Sequence, residues 1–164
     1  MILDKLIMLI GRSLPEAILL LIFIQLLSKV KVKVKETFVL ALISSSLSLI
    51  LPLLVPAIDT SIIMATVMIV YFLFLIKVKN ASISKSVLAS VLGMCLLLAS
   101  DAVSAAVLMG MLKIPQQLIV DKNPYVMALS TIGLVIVFIP SILILKKKGK
   151  ASSEVEESKA TSIE

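Results

Sequence analysis

Three ionisable residues stand inside stretches otherwise fit only for lipid: Arg12, Glu16 and Asp101. A charge at bilayer depth costs about 2.5–3.5 kcal/mol on insertion scales, so such residues mark ion pairs, proton relays or ligand sites. Arg12 and Glu16 are four apart and share a face if that stretch is helical. Their depth follows from the flanking lysines at about 1.5 Å per helical residue. Glu16 lies about 20 Å from the level of Lys29, Arg12 about 26 Å, and Asp101 about 24 Å from Lys85. All three fall at one level in the same half of a membrane. The helix carrying Asp101 is therefore expected to pack on the helix carrying Arg12, with the two charges paired. Glu16 is left as a cap, a second acceptor or a ligand-facing charge. Such a cluster is either a helix clamp, a sensing site or, through its carboxylates, a coupling site for protons or cations.

Composition excludes most other chemistry. The 164 residues are 60% apolar and 16% charged, with a mean hydropathy of +1.17. A soluble domain has about 45–50% apolar and about 25% charged residues. A chain this short cannot bury such an excess in one soluble core, so the solvent is lipid. There is no histidine and one cysteine, Cys95. Histidine triads, Cys/His zinc sites and CxxC redox pairs are thereby removed. No enzymatic activity, metal or cofactor is expected. Cys95 reads as a structural thiol, and the eight methionines as gap fillers between helices. A methionine-rich groove for a peptide is the functional alternative.

A spanning helix needs about 20 apolar residues. Five stretches qualify, at about 14–29, 37–55, 58–76, 84–112 and 125–145, bounded by lysines, prolines or polar clusters. The expected fold is an all-α polytopic helical bundle of five transmembrane helices. Residues 1–148 form the membrane domain and residues 149–164 a disordered cytoplasmic tail, polar and glutamate-rich. Gly11 offers a break, and Ser13-Leu14-Pro15-Glu16 has the form of a capping box. Residues 2–10 are accordingly expected as a short interfacial helix, with a kinked continuous helix as the alternative. This N-terminus lacks the basic leader and small-residue cleavage site of a signal peptide.

Lysines set the orientation. Lys29, Lys31, Lys33 and Lys35 fill the first connection, Lys77, Lys79 and Lys85 the third, and Lys146, Lys147, Lys148 and Lys150 follow the last span. The positive-inside rule puts these in the cytoplasm and the N-terminus outside. The net charge of +6 is thus a topology signal, and nucleic acid is not an expected partner. On the outer face, Pro52 to Thr60 turns the chain, with Asp59 or Thr60 as a helix cap. The longer outer loop carries Gln116, Gln117 and Asp121 as candidate contacts, and its apolar residues read as a short helix. Small residues crowd the fourth span. Ala102, Ala106 and Gly110 recur every fourth residue, as do Ser86 and Ser90, or Ala89 and Gly93, which lets helix backbones approach within the bundle or across a homo-oligomer. Ser44, Ser45, Ser46 and Ser48 on the second span can bond back to their own helix or across to a neighbour.

The segment GRSLPEAILLL, the lysine-rich first connection and the fourth-span stretch SISKSVLASVLGMCLLLASD together resemble the N-terminal membrane module of GHKL-type sensor histidine kinases, the accessory-gene-regulator-like sensors of Gram-positive bacteria. The likeness covers residues 1–148. It implies a bacterial cell (inner) membrane protein that detects an extracellular or membrane-borne signal, often a peptide. After Lys150 the sequence departs from that family, with no phosphoacceptor histidine and no glycine-rich nucleotide-binding segment. The resemblance therefore implies a stand-alone sensor, accessory subunit or decoy, acting through a membrane or cytoplasmic signalling partner. The alternatives are a small transporter, or a transporter subunit, with Glu16 and Asp101 as coupling carboxylates, and a holin-like pore former.

Overall fold

A computed structural model describes residues 2–55, 60–121 and 123–161 of the chain. Asp59 and the start of the expected third span lie outside the described residues. What is described is helix joined by short turns. Helix α1 (Ile2–Met8) runs through a π-helical turn, Leu9–Ser13, into α2 (Leu14–Ser28). Helix α3 (Val34–Leu54) and α4 (Thr60–Leu73) follow, the latter ending in a π turn, Phe74–Val78. Helix α5 (Ile83–Ala106) continues as a π turn over Val107–Met111. Two short helices, α6 (Gln116–Val120) and α7 (Pro124–Leu129), lead to the long α8 (Thr131–Thr161).

Among the described residues, four segments are long and apolar enough to cross a membrane: Leu3–Ser28, Val34–Pro52, Ile83–Met111 and Pro124–Lys147. These carry four of the five expected spans. The expected third span appears as a shorter apolar helix, Ile62–Lys77, about 24 Å long at 1.5 Å per residue against about 30 Å of hydrocarbon. Large apolar side chains such as Phe38, Ile43, Leu88, Val91, Ile136 and Leu143 face outward around the bundle. A surface that apolar is stable against lipid, not against water.

The first span departs from its expected form. Residues 2–28 make one continuous rod, and no separate interfacial helix breaks off at Gly11. Ser13 has helical dihedrals (φ −65°, ψ −39°) and its side chain caps nothing, so the expected capping box is absent. Glu16 instead accepts a hydrogen bond from Arg12 Nε at 3.0 Å, and the Ser13 carbonyl accepts one from Ser45 Oγ at 3.0 Å. Continuity is favoured because a π turn absorbs the irregularity without releasing backbone groups into lipid, where each would cost several kcal/mol. The far end stops at Lys29, whose left-handed backbone (φ 56°) returns its amide to the Gln25 and Leu26 carbonyls. At the other terminus, the backbone of residues 149–161, expected as a disordered tail, continues α8 to Thr161. Extending an already nucleated helix adds a hydrogen bond per residue without a second nucleation cost.

Helix α2 lies at the centre, packed against α3, α5 and α8, and α5 packs extensively on α8. Its buried residues, Ala17, Leu20, Leu21, Ile24 and Ser28, follow the three-and-four spacing of one helix face. Leu134, Phe138 and Ile142 supply the matching stripe of α8, and Phe23 meets Phe138 edge to face at 6.0 Å. The buried stripe of α5 is Ser86, Ala89, Gly93, Leu97, Ser100 and Ser104. The close-approach spacing within the bundle therefore belongs to this stripe, while Ala102, Ala106 and Gly110 turn outward. Lys79 at the end of α4 pairs with Glu36 at the start of α3, Nζ to Oε2 2.6 Å. That contact brings the first and third lysine-rich connections to one end of the bundle, as alternating spans require.

Gly133 marks the tightest crossing. A Cβ there would meet the Ser104 side chain, the Ser100 carbonyl and the Ser104 amide nitrogen, the last at 2.7 Å. The Ser104 hydroxyl can rotate away, but the two backbone atoms of α5 cannot. Gly133→Ala is expected to destabilise the detergent-solubilised protein by about 1–3 kcal/mol in a thermal or denaturant unfolding series. Gly110→Ala, with nothing within 4 Å of the new atom, is expected to be neutral or stabilising by up to about 1 kcal/mol through helix propensity.

Candidate functional site

Arg12 is buried on the π turn between α1 and α2. Its three nitrogens each donate in a different direction. Nε binds Glu16 Oε2 at 3.0 Å, Nη1 binds Ser130 Oγ, and Nη2 binds Asp101 Oδ1. The expected cross-helix pair between Arg12 and Asp101 is thus formed, and Glu16 acts as the second acceptor. The guanidinium ties α2 to α5 and to the α7–α8 junction at one depth. Bidentate and forked donation is what a guanidinium offers and an ammonium does not.

Hydroxyls that the sequence reading did not single out complete the cluster. Ser130 also donates to the Met127 carbonyl at 2.6 Å, Ser104 donates to the Ser130 carbonyl at 2.6 Å, and Thr131 donates to the Gly11 carbonyl. Gly11 permits this approach, since a Cβ there would lie 2.6 Å from the Ala128 Cβ. The available signal was Ser130-Thr131, two adjacent hydroxyls near the start of the last span.

Beside the cluster lies a cavity of about 450 Å³. The α1–α2 rod contributes Lys5, Met8, Arg12, Glu16 and Leu20, and α5 contributes Met94, Leu97 and Asp101. Helix α3 lines it with Ser44, Ser45, Ser48 and Leu49, helix α4 with Met64, Val67, Met68 and Tyr71, and α7 with Met127. Ser44 both bonds back to its own helix, at 2.9 Å to the Leu40 carbonyl, and meets Tyr71 Oη at 2.6 Å on α4. Ser48 bonds back to the Ser44 carbonyl at 3.0 Å. The serine-rich second span therefore uses both of its expected options.

Five of the eight methionines, Met8, Met64, Met68, Met94 and Met127, line this space. Unbranched thioethers adapt their shape to varied apolar guests. An apolar chamber of about 300–1,000 Å³ with a few converging polar groups is the usual form of a small-molecule site. Gln116, Gln117 and Asp121 do not join it, being exposed on α6 and at its C-terminal cap. Cys95 is exposed on α5 and also lies apart from it. No protein-family model, curated protein or solved structure matches this chain.

Removing the guanidinium leaves two carboxylates and one hydroxyl without their common donor. Arg12→Ala is expected to destabilise the protein by about 3–5 kcal/mol, the cost of orphaning a buried ion pair. The swap Arg12→Asp with Asp101→Arg is expected to recover part of what either single substitution loses. Unfolding of all four proteins in one detergent measures the coupling, and a double swap no better than the worse single excludes a direct pair.

Proposed function

We propose that this chain is a non-enzymatic, multi-pass membrane protein with a sensory or accessory signalling role. The observation that carries the reading is the cavity itself. Its walls come from the α1–α2 rod, α3, α4, α5 and α7, and its polar side is the same Arg12–Glu16–Asp101 cluster that holds α2, α5 and the α7–α8 junction together. A guest in that space touches the contacts that set helix packing. A membrane-borne signal is therefore coupled to helix arrangement if its affinity differs between two arrangements. The change is read at the lysine-rich end by a partner protein. The resemblance of residues 1–148 to GHKL-type sensor modules supports the same role, and these residues contain no histidine to act as phosphoacceptor.

The site is the bacterial cell membrane, with five crossings, the N-terminus outside and the lysine-rich connections inside. The shorter helix Ile62–Lys77 completes the fifth crossing, supported by the Lys79–Glu36 contact at the end of the bundle where α3 begins. In a cysteine-free Cys95→Ser background, Gln117→Cys is expected to react with a membrane-impermeant maleimide on intact cells. Lys33→Cys is expected to react only after permeabilisation. The reverse pattern inverts the topology.

A transporter, or a transporter subunit, is the second reading, favoured by Glu16 and Asp101 both lining the cavity. Gentle solubilisation from the native membrane and mass spectrometry of co-purifying proteins distinguishes the two. A stoichiometric kinase, response regulator or similar signalling protein is expected. Glu16→Gln and Asp101→Asn are then expected to shift the signalling threshold while leaving expression intact. Recovery of the chain alone, with both variants abolishing substrate flux, establishes the transporter instead.

A further inference from the structure

The two lysine-rich connections carry more charge than their own acids neutralise. Residues 29–36 and 77–85 hold seven lysines against one carboxylate, Glu36. That carboxylate is already engaged. Its Oε2 lies 2.6 Å from Lys79 Nζ and accepts from the Lys33 backbone amide at 3.1 Å. Lys35, the residue before it, is exposed and has no ion-pair partner among the described residues.

Lys35 also stands at one end of a groove. A depression of about 360 Å³ lies between α3 and the end of α4, lined by Lys35, Glu36, Val39, Leu40, Ile43 and Phe74. Lys35, Val39 and Ile43 are four apart and so follow one face of α3. From Lys35 to Ile43 the groove runs about 12 Å at 1.5 Å per residue. Val39 and Ile43 are more than half exposed. Across from them, Phe74 begins the π turn of α4, and Lys79 Nζ sits 6.0 Å from the centre of its ring. The groove is thus basic at one end and hydrocarbon along the rest.

That polarity matches half of a bilayer. Val39 and Ile43 belong to the spanning segment Val34–Pro52, at the depth of acyl chains, and Lys35 lies at its start, at the depth of headgroups. A zwitterionic headgroup brings its own ammonium to a place already crowded with them. An anionic headgroup supplies the counter-charge that Glu36 alone does not.

We propose that this groove binds one anionic phospholipid, its phosphate on Lys35 and the neighbouring lysines, and one acyl chain along Val39, Ile43 and Phe74. The lipid bridges α3 and α4 at the end where the Lys79–Glu36 pair already joins them. This site is separate from the cavity and stands independently of the sensory reading.

Phosphatidylglycerol and phosphatidylcholine with identical acyl chains test it. The full chain in detergent is titrated with each, and retained lipid is counted by native mass spectrometry. One phosphatidylglycerol per chain is expected, held about tenfold or more tightly than phosphatidylcholine. Lys35→Gln is expected to lose most of that preference. Lys147→Gln is expected to keep it, since it removes the same charge outside the groove. Val39→Trp is expected to fill the groove and weaken phosphatidylglycerol retention with every lysine in place. Glycerol 3-phosphate is expected not to displace the lipid, and displacement assigns the lysines to a soluble phosphate instead. Equal retention of the two lipids, or equal losses in Lys35→Gln and Lys147→Gln, overturns the site and leaves a diffuse basic surface open to an acidic protein. Retention indifferent to Val39→Trp overturns the acyl groove. The wild-type comparison of the two lipids decides the matter even where a variant fails to fold.

Discussion

One desolvated guanidinium governs this bundle. A positive charge in a low-dielectric interior is tolerable only when its donors are matched and a counter-charge is near. Arg12 meets that demand with Glu16 on its own rod, Asp101 on α5 and Ser130 between α7 and α8. Each partner must therefore sit at the depth of Arg12, which fixes how far each helix is inserted relative to the others. Apolar packing alone does this poorly, since lipid tails are as apolar as the helix faces they compete with.

The geometry that delivers those partners depends on small residues. Gly11 lets the first rod touch Ala128, and Gly133 lets α8 lie on the backbone of Ser100 and Ser104. Hydroxyls then reach across, Thr131 to the Gly11 carbonyl and Ser104 to the Ser130 carbonyl. Close approach and inter-helix hydrogen bonding reinforce one another here, as expected where helices cannot rely on water to drive them together. Toward the lysine-rich end, the packing becomes a conventional apolar seam built on Phe23, Ile24, Leu134 and Phe138.

The opposite side of the rod is constructed differently. Helix α4 is short, and its named polar ties to α3 are Tyr71 with Ser44 and, beyond it, Lys79 with Glu36. Between α4 and the central rod the space is lined by methionine, serine and aliphatic residues and remains a cavity. The helices α2, α5 and α8 thus pack closely together, while α4 stands across the cavity from α2. The charged cluster borders both, lining the cavity and tying α2 to α5 and to the α7–α8 junction.

The sequence by itself determined the membrane class, four of the five expected spans, the segregation of lysines and the common depth of Arg12, Glu16 and Asp101. These follow from local composition and from a fixed rise per helical residue, and neither needs knowledge of neighbours. It also carried the Arg12–Asp101 pair, because a charge in lipid has few possible partners. Tertiary structure alone decided the continuity of the first rod. Ser13-Leu14-Pro15-Glu16 satisfies a capping rule locally, yet Glu16 is claimed by Arg12 and the Ser13 carbonyl by Ser45. It likewise decided which small residues of α5 face inward, which hydroxyls close the cluster and where the cavity lies. A cavity is a property of helices that fail to meet, and that failure is written in no single stretch of sequence.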